Sequence, residues 1–271
     1  MRHHAGMSEA PSVASEIVVV TGCSRGIGRA IALHLARLGH RLALVARHGD
    51  RLQALAAELT AAGAPAPLVY PADLRDPDAP ARIVAATTAT FGPPTAILNN
   101  AGTAPADKIE NTDAAMVADT FALHVAAPLA FARAAVPAMK QQKRGCLLQL
   151  ASTAGLRGYP FTSAYTAAKH GMVGLSRALH AELSPAGIAV YALCPGFVDS
   201  DITRSAAAAI AARGKSTADE AFARMAAQNR IGRMHSPDEV AAAVALLLTA
   251  RPAGCVYDLD RDEPRFVDSA D

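Results

Sequence analysis

The chain has 271 residues, of which 51% are hydrophobic and 18% charged, with a formal net charge of +2. That length holds one large α/β domain or two small ones and buries a core without disulfides or structural metals, and the composition excludes a disordered chain. Aromatics are only 4% and Trp is absent, which argues against an aromatic-lined groove for single strands, and the near-neutral, dispersed charge argues against a nucleic-acid partner.

Residues 1–16 are small and polar, lack the apolar run of a signal peptide and read as a disordered lead-in. From Ile17 the chain alternates short apolar runs with amphipathic ones. Ile17–Thr21 reads as a buried strand, Gly26–Leu38 as a helix ended by Gly39, and Arg41–Ala46 as a second strand. Asp50–Ala62 is predicted helical, Pro67–Tyr70 a strand, Asp78–Phe91 a helix and Ala96–Asn99 a fourth strand. Ala114–Lys140 reads as one long helical stretch that Pro128 should bend or break. Cys146–Ala151 is a strand, Ser163–Ser184 a helix, Ile188–Leu193 a strand, Ser236–Thr249 a helix opened by Ser236-Pro237, and Cys255–Leu259 a seventh strand.

Strands spaced by single helices predict one doubly wound, Rossmann-like parallel sheet with helices on both faces, a single domain over residues 17–271. The alternation is interrupted after strand six by Asp201–His235, which reads as a helical lid over the carboxyl ends of the strands. Cys23, Cys146, Cys194 and Cys255 are scattered, with no CxxC and no metal-ligand spacing, which predicts reduced thiols, no metal and a cytoplasmic setting. The most apolar stretches, such as Ala241–Ala250, fall short of a membrane span, so no membrane association is expected.

Three motifs carry chemistry. Between the first strand and helix lies Gly22-Cys23-Ser24-Arg25-Gly26-Ile27-Gly28, spaced GxxxGxG rather than GxGxxG. Glycines admit close backbone approach, and the helix start offers unpaired N–H groups to a pyrophosphate. Asn99-Asn100-Ala101-Gly102 follows strand four, at the end of the sheet where ligands bind. Ser152 closes strand five, and Tyr165 and Lys169 stand one helical turn apart. A lysine ammonium near a phenol lowers its pKa, and a hydroxyl at a strand end holds a carbonyl oxygen for protonation.

In that order and spacing these motifs, with Asp73-Leu74 and CPGFVDS at Cys194–Ser200, resemble the short-chain dehydrogenase/reductase superfamily over roughly residues 17–248. The resemblance implies an NAD(P)-dependent oxidoreductase that transfers the pro-S hydride between nicotinamide and a carbonyl or secondary alcohol. It implies Tyr165 as general acid/base, Lys169 on the nicotinamide ribose and Ser152 on the substrate oxygen. It also implies Asp73 and Leu74 at adenine, Asn100, Ala101 and Gly102 along the cofactor cleft, Pro195, Gly196, Val198 and Ser200 around the nicotinamide, and a homotetramer or homodimer built through the two long helices. Three positions depart from the family pattern. His124 stands where the family has a catalytic Asn, Ser200 replaces a Thr, and the glycine-rich end reads Asp258-Leu259-Asp260-Arg261-Asp262, which puts the usual terminal packing in doubt. A His both donates and accepts, so a modified proton relay is expected.

Strand two ends at Ala46-Arg47, where an Asp would favour the ribose 2′-hydroxyl of NAD; Arg47 with Arg25 favours the 2′-phosphate of NADP. NAD-dependent alcohol oxidation and a cofactor-binding sensor without turnover are the alternatives. The stretch Cys146–Val244 resembles polyketide ketoreductases and 3-hydroxyacyl-type dehydrogenases, which points to a ketone or β-ketoacyl substrate. Arg204, Arg213, Arg230 and Arg233 are candidates to meet a carrier phosphate, and Leu156 and Phe161 to line the pocket.

Overall fold

The computed structural model describes residues 15–214 and 216–267, so residues 1–14 of the predicted lead-in lie outside the described residues. The strands are β1 Ile17–Thr21, β2 Arg41–Ala46, β3 Leu68–Pro71, β4 Ala96–Asn99, β5 Gly145–Leu150, β6 Ile188–Cys194 and β7 Val256–Asp258. The helices are α1 Gly26–Arg37, α2 Gly49–Ala61, α3 Ala79–Phe91, α4 Ala114–Phe121, α5 Ala127–Gln142, α6 Ser163–Leu183, α7 Asp201–Arg213, α8 Ala218–Ala226 and α9 Pro237–Ala250. A strand missed by the sequence reading, β8 Arg265–Phe266, adds antiparallel to β7; the other neighbouring strands pair in parallel. Two residues give no periodicity to detect.

The sheet order is β3-β2-β1-β4-β5-β6-β7-β8. The chain leaves β1 toward one edge and returns at β4 toward the other, so a crevice opens between the carboxyl ends of β1 and β4. Side chains alternate across the sheet with period two. Val18, Val20, Leu44 and Leu98 face α1, α2 and α9, while Val19, Val45, Ile97 and Leu147 face α3 and α5.

The predicted long helix does break, but one turn ahead of Pro128. Residues 122–126 form a π-helical turn, in which the Ala127 N–H reaches the Ala122 carbonyl, and Pro128 sits in the first turn of α5. Pro128 has no N–H for the His124 carbonyl, and the wider turn upstream absorbs that missing bond. The run Ala114–Gln142 is, by length and composition alone, apolar enough to cross a membrane, contrary to the sequence reading. Only 28% of its most apolar window is buried within this chain, so much of that apolar surface is open to a neighbour.

The 201–235 interruption is a helical arm. Ser200 caps α7 by accepting from the Thr203 N–H, and α8 opens with a reciprocal capping box between Thr217 and Glu220. Ala207 packs on Ala221 and Met225, with Phe197, Phe222 and Met234 around them.

Glu16, read as the end of the lead-in, belongs to the fold and is buried. Its Oε1 accepts from Arg144 at 2.5 Å and Arg251 at 3.0 Å, and its backbone N–H donates to Nδ1 of buried His40 at 3.1 Å. Replacing Glu16 with Ala strands two guanidiniums, and we expect a loss of about 2 kcal/mol in stability, read from the urea midpoint.

Candidate active site

The crevice is built first from backbone. Thr21 Oγ1 accepts from the N–H groups of Asn100 and Ala101 at 2.9 and 3.0 Å, and Asn100 Nδ2 donates to the carbonyls of Thr21 and Gly22 at 2.8 and 3.1 Å. Gly22 has φ 67°, and a Cβ there would lie 2.7 Å from the Ala101 Cα; a Cβ on Gly28 would lie 2.3 Å from the Gly22 carbonyl oxygen. The Asn100 side chain is thereby tied to the glycine turn. Arg25 precedes α1 in extended conformation and its side chain makes no capping bond, which leaves the helix start facing the crevice without a side-chain partner. Those features fit a dinucleotide pyrophosphate: a cradle that a Cβ would fill, next to a helix N-terminus. Ser24 and Ile27 stand in that same turn.

Arg25 and Arg47 are both exposed, and among the described residues neither side chain has a hydrogen bond or ion pair. Three other arginines of this half are engaged: Arg29 with Glu58, Arg75 with Asp73 and Arg82 with Asp76. Asp73 is held by Arg75 through both carboxylate oxygens, and the hydrogen bonds from Arg75 lower its pKa despite partial burial. Leu74 beside it is buried.

At the carboxyl end of β5, Ser152 accepts from the Ala154 N–H at 3.1 Å, and its hydroxyl lowers the pKa of the neighbouring Tyr165 phenol. Lys169 is buried one turn along α6, with Nζ 2.6 Å from the Leu150 carbonyl and 5.6 Å from the centre of the Tyr165 ring. Burial pushes the Tyr165 phenol up to about 12, against the lowering effect of the Ser152 bond. Burial also pushes the Lys169 ammonium down to about 7. The sequence reading expected Lys169 to depress the phenol. That expectation fails in the protein's own field, because the ammonium is desolvated and directed at a backbone carbonyl.

His124 lies within the π turn, buried, with its ring edge against Tyr165 at 5.7 Å. Nε2 is 2.8 Å from the Thr103 carbonyl, Gly102 backs the imidazole, and Nδ1 is buried without a hydrogen-bond partner. Burial, with the Lys169 charge, lowers its pKa to about 3, so the ring is neutral. Pro195 accepts from the Thr153 N–H, Val198 pairs with His235 in an isolated bridge, and Ser200 spends its hydroxyl on capping α7. The structure thus brings Ser152, Tyr165, Lys169 and His124 together.

Of the four arm arginines taken as phosphate candidates, three are engaged elsewhere: Arg204 with Asp199, Arg230 with Asp258 and Arg233 with Glu239. The Arg213 side chain lies outside the described residues. Phe161 is exposed at φ 65°, and half-buried Leu156 packs on a small cluster with Met172 and Val173. The sequence reading missed Asn229, which is buried and spans the loop after β6 by bonding the Phe197 N–H at 2.7 Å and its carbonyl at 2.8 Å. A lone Asn between helices carries no pattern that reveals such a role.

A parallel sheet, a glycine cradle at its switch point and a Ser–Tyr–Lys group beside it define a nicotinamide-dependent oxidoreductase. The sequence model of the short chain dehydrogenase family matches residues 16–211. The chain is 34% identical over 250 residues to 2-(S)-hydroxypropyl-CoM dehydrogenase 3 of Xanthobacter autotrophicus, across 91% of this chain and 95% of that one. It is 30% identical over 238 residues to the 3-oxoacyl-(acyl-carrier-protein) reductase FabG of Escherichia coli, across 88% and 91%. A solved actinorhodin polyketide ketoreductase with NADPH superposes with a TM-score of 0.85 at 30% identity, across 90% and 95%. The chain belongs to the short chain dehydrogenase family and is an NAD(P)-dependent dehydrogenase/reductase.

The buried lysine makes a pH signature. Between about pH 7 and the ordinary value of 10.5, the unfolded chain holds a proton at Lys169 that the folded chain has released, so stability rises with pH over that window. Lys169→Met removes this dependence. We expect its melting temperature to exceed that of the unaltered protein most below pH 7 and to converge with it near pH 10; a difference independent of pH contradicts the assignment.

Proposed function

We propose that the protein is an NADPH-dependent ketoreductase acting on a β-ketoacyl-type or related ketone. The observation that carries the reading is the grouping of Ser152 at the end of β5 with Tyr165 and Lys169 one turn apart on α6, the lysine buried and 5.6 Å from the centre of the tyrosine ring. The Gly22–Gly28 cradle would hold a dinucleotide, which when bound would supply the hydride. Ser152 and Tyr165 donate hydrogen bonds to the carbonyl oxygen, where negative charge develops. Tyr165 gives its proton to that oxygen in reduction and takes it back in alcohol oxidation. Lys169, whose ammonium takes the Leu150 carbonyl, is the residue that would bond the nicotinamide ribose of a bound dinucleotide. His124 is a positioning residue: anchored on Thr103, its neutral ring sets the Tyr165 edge.

The preference for NADP rests on Arg25 in the glycine turn and Arg47 at the end of β2, exposed cations with no hydrogen bond or ion pair among the described residues. The ketone class is supported by the reductase and ketoreductase similarities. The open apolar surface of α4 and α5 supports assembly with further copies of this chain, and the tetramer expected from the resemblance remains our reading of that surface. Four buried free cysteines support a reducing, cytoplasmic setting.

NADPH oxidation followed by absorbance with ethyl acetoacetate as the ketone probe tests the reaction. Tyr165→Phe is expected to lower turnover by about 10³-fold with dinucleotide affinity retained. His124→Leu is expected to lower kcat about tenfold, and His124→Asn to recover part of it. Undiminished turnover in Tyr165→Phe sinks the mechanism. For the cofactor, Arg47→Asp should raise the KM for NADPH by about 10–100-fold and lower that for NADH. An unchanged ratio between the two cofactors removes Arg47 from the assignment.

A further inference from the structure

The charged end of the chain was expected to disturb terminal packing. Instead Asp258 and Asp260 are buried, with Leu259 between them. Asp258 Oδ2 accepts from Arg261 at 2.6 Å and lies 3.4 Å from Arg230 Nη1, which places its charge against two half-exposed guanidiniums. Asp260, fully buried, is directed the other way, into the interior.

Three segments meet at the Asp260 carboxylate. Both its oxygens accept from the Arg230 N–H, at 3.0 and 3.1 Å, in the turn that ends the 201–235 arm. His235 Nε2, at the far end of that arm, lies 3.5 Å from Oδ1. Arg157 Nη2 lies 3.5 Å from Oδ2 and belongs to the loop that follows Ser152. Arg157 also donates to the Tyr159 hydroxyl and to the Gln228 carbonyl, both at 2.9 Å, and Tyr159 in turn bonds Thr153 at 2.7 Å. Finally, the loop after β6 is seated directly on the carboxylate: a Cβ on Gly196 would lie 2.9 Å from the Asp260 Cγ and 2.4 Å from Asn229 Oδ1. A buried charge surrounded this way is held by geometry on every side, and its removal releases all of its neighbours together. Burial alone raises the carboxyl pKa, but the His235, Arg230 and Arg157 groups hold it below the usual carboxylate range.

We propose that Asp260 is a positioning residue of the active site, a buried anchor through which the C-terminal tail fixes the Ser152–Tyr159 loop, the Gly196 loop and the base of the 201–235 arm relative to one another. None of its contacts touches Tyr165 or Lys169. Its effect is on the walls that receive the carbonyl substrate, and therefore on KM rather than on the proton-transfer step. In that respect it rests on the reductase reading above.

The test uses the full chain with Asp260→Asn, Arg157→Met and the double variant. Arg157 is half-exposed, so its replacement keeps the fold even where the core substitution does not. In hydrogen–deuterium exchange, Asp260→Asn is expected to speed exchange about tenfold at residues 153–159, 195–200 and 228–235 together. Arg157→Met is expected to do so at 153–159 and 228–235. With ethyl acetoacetate, the KM is expected to rise about tenfold in either single variant, with kcat changed less than about threefold. The double variant is expected to resemble the singles, because one linkage is broken in each. A lower melting temperature with exchange unaltered at 153–159 and KM unaltered makes Asp260 a packing residue only and overturns the proposal, as does strict additivity. If the unaltered protein turns over no ketone, the substrate class falls, and the exchange experiment alone decides the role of Asp260.

Discussion

Everything at the site depends on how closely β1 and β4 approach at their carboxyl ends. These strands are neighbours only because the chain runs to one edge of the sheet and comes back, so their exits diverge and leave a crevice. Thr21 and Asn100 close the bottom of that crevice with four hydrogen bonds: the Thr21 hydroxyl accepts from the Asn100 and Ala101 N–H groups, and the Asn100 side chain donates to the Thr21 and Gly22 carbonyls. The contact leaves no volume for side chains at Gly22 or Gly28. The helix start is thereby brought to the mouth of the crevice, and β5, the next strand outward, carries Ser152 to the same level.

The Ser152–Tyr165–Lys169 group is arranged by burial more than by charge pairing. Lys169 enters the interior without a carboxylate partner among the described residues, taking the Leu150 carbonyl instead. Tyr165 is desolvated beside it and has its acidity held in check by the same apolar surroundings. His124 adds bulk and an unmatched acceptor in place of a charge. Its position depends on the π turn, which in turn answers the missing N–H of Pro128. One backbone defect therefore aims a side chain at the phenol, a use of π turns common at functional sites.

The parallel sheet, the alternation of its faces and the Ser152–Tyr165–Lys169 group were all legible in the sequence, because the first two follow from periodicity, Tyr165 and Lys169 from spacing along one helix, and Ser152 from its place at the end of a strand. The glycine cradle was legible for the same reason: strand, glycines and helix occur in one continuous stretch. What stayed hidden was set by distant partners. Glu16 looked like the end of a polar tail until Arg144 and Arg251 were brought to it. Asp260 looked like solvent-facing charge, yet its partners are separated from it by up to a hundred residues or so along the chain. The arm arginines suggested an anion site, and acids nearby in the fold claim Arg204, Arg230 and Arg233. The break in the long helix was foreseen at Pro128, but its form, a wider turn one step upstream, depends on the hydrogen-bond pattern rather than on residue type.

Glu16 also bears on the order in which the chain becomes structured. It precedes the central strand, and its two cationic partners lie 128 and 235 residues further on. During synthesis the first strand emerges long before either guanidinium exists. A carboxylate destined for the interior must stay in water until β5 approaches, and it gains its second partner only after α9 has been made. The amino end of the sheet is thus sealed by a residue translated near the finish, which ties completion of the central strand to completion of the polypeptide and makes early release of a truncated chain unfavourable for folding.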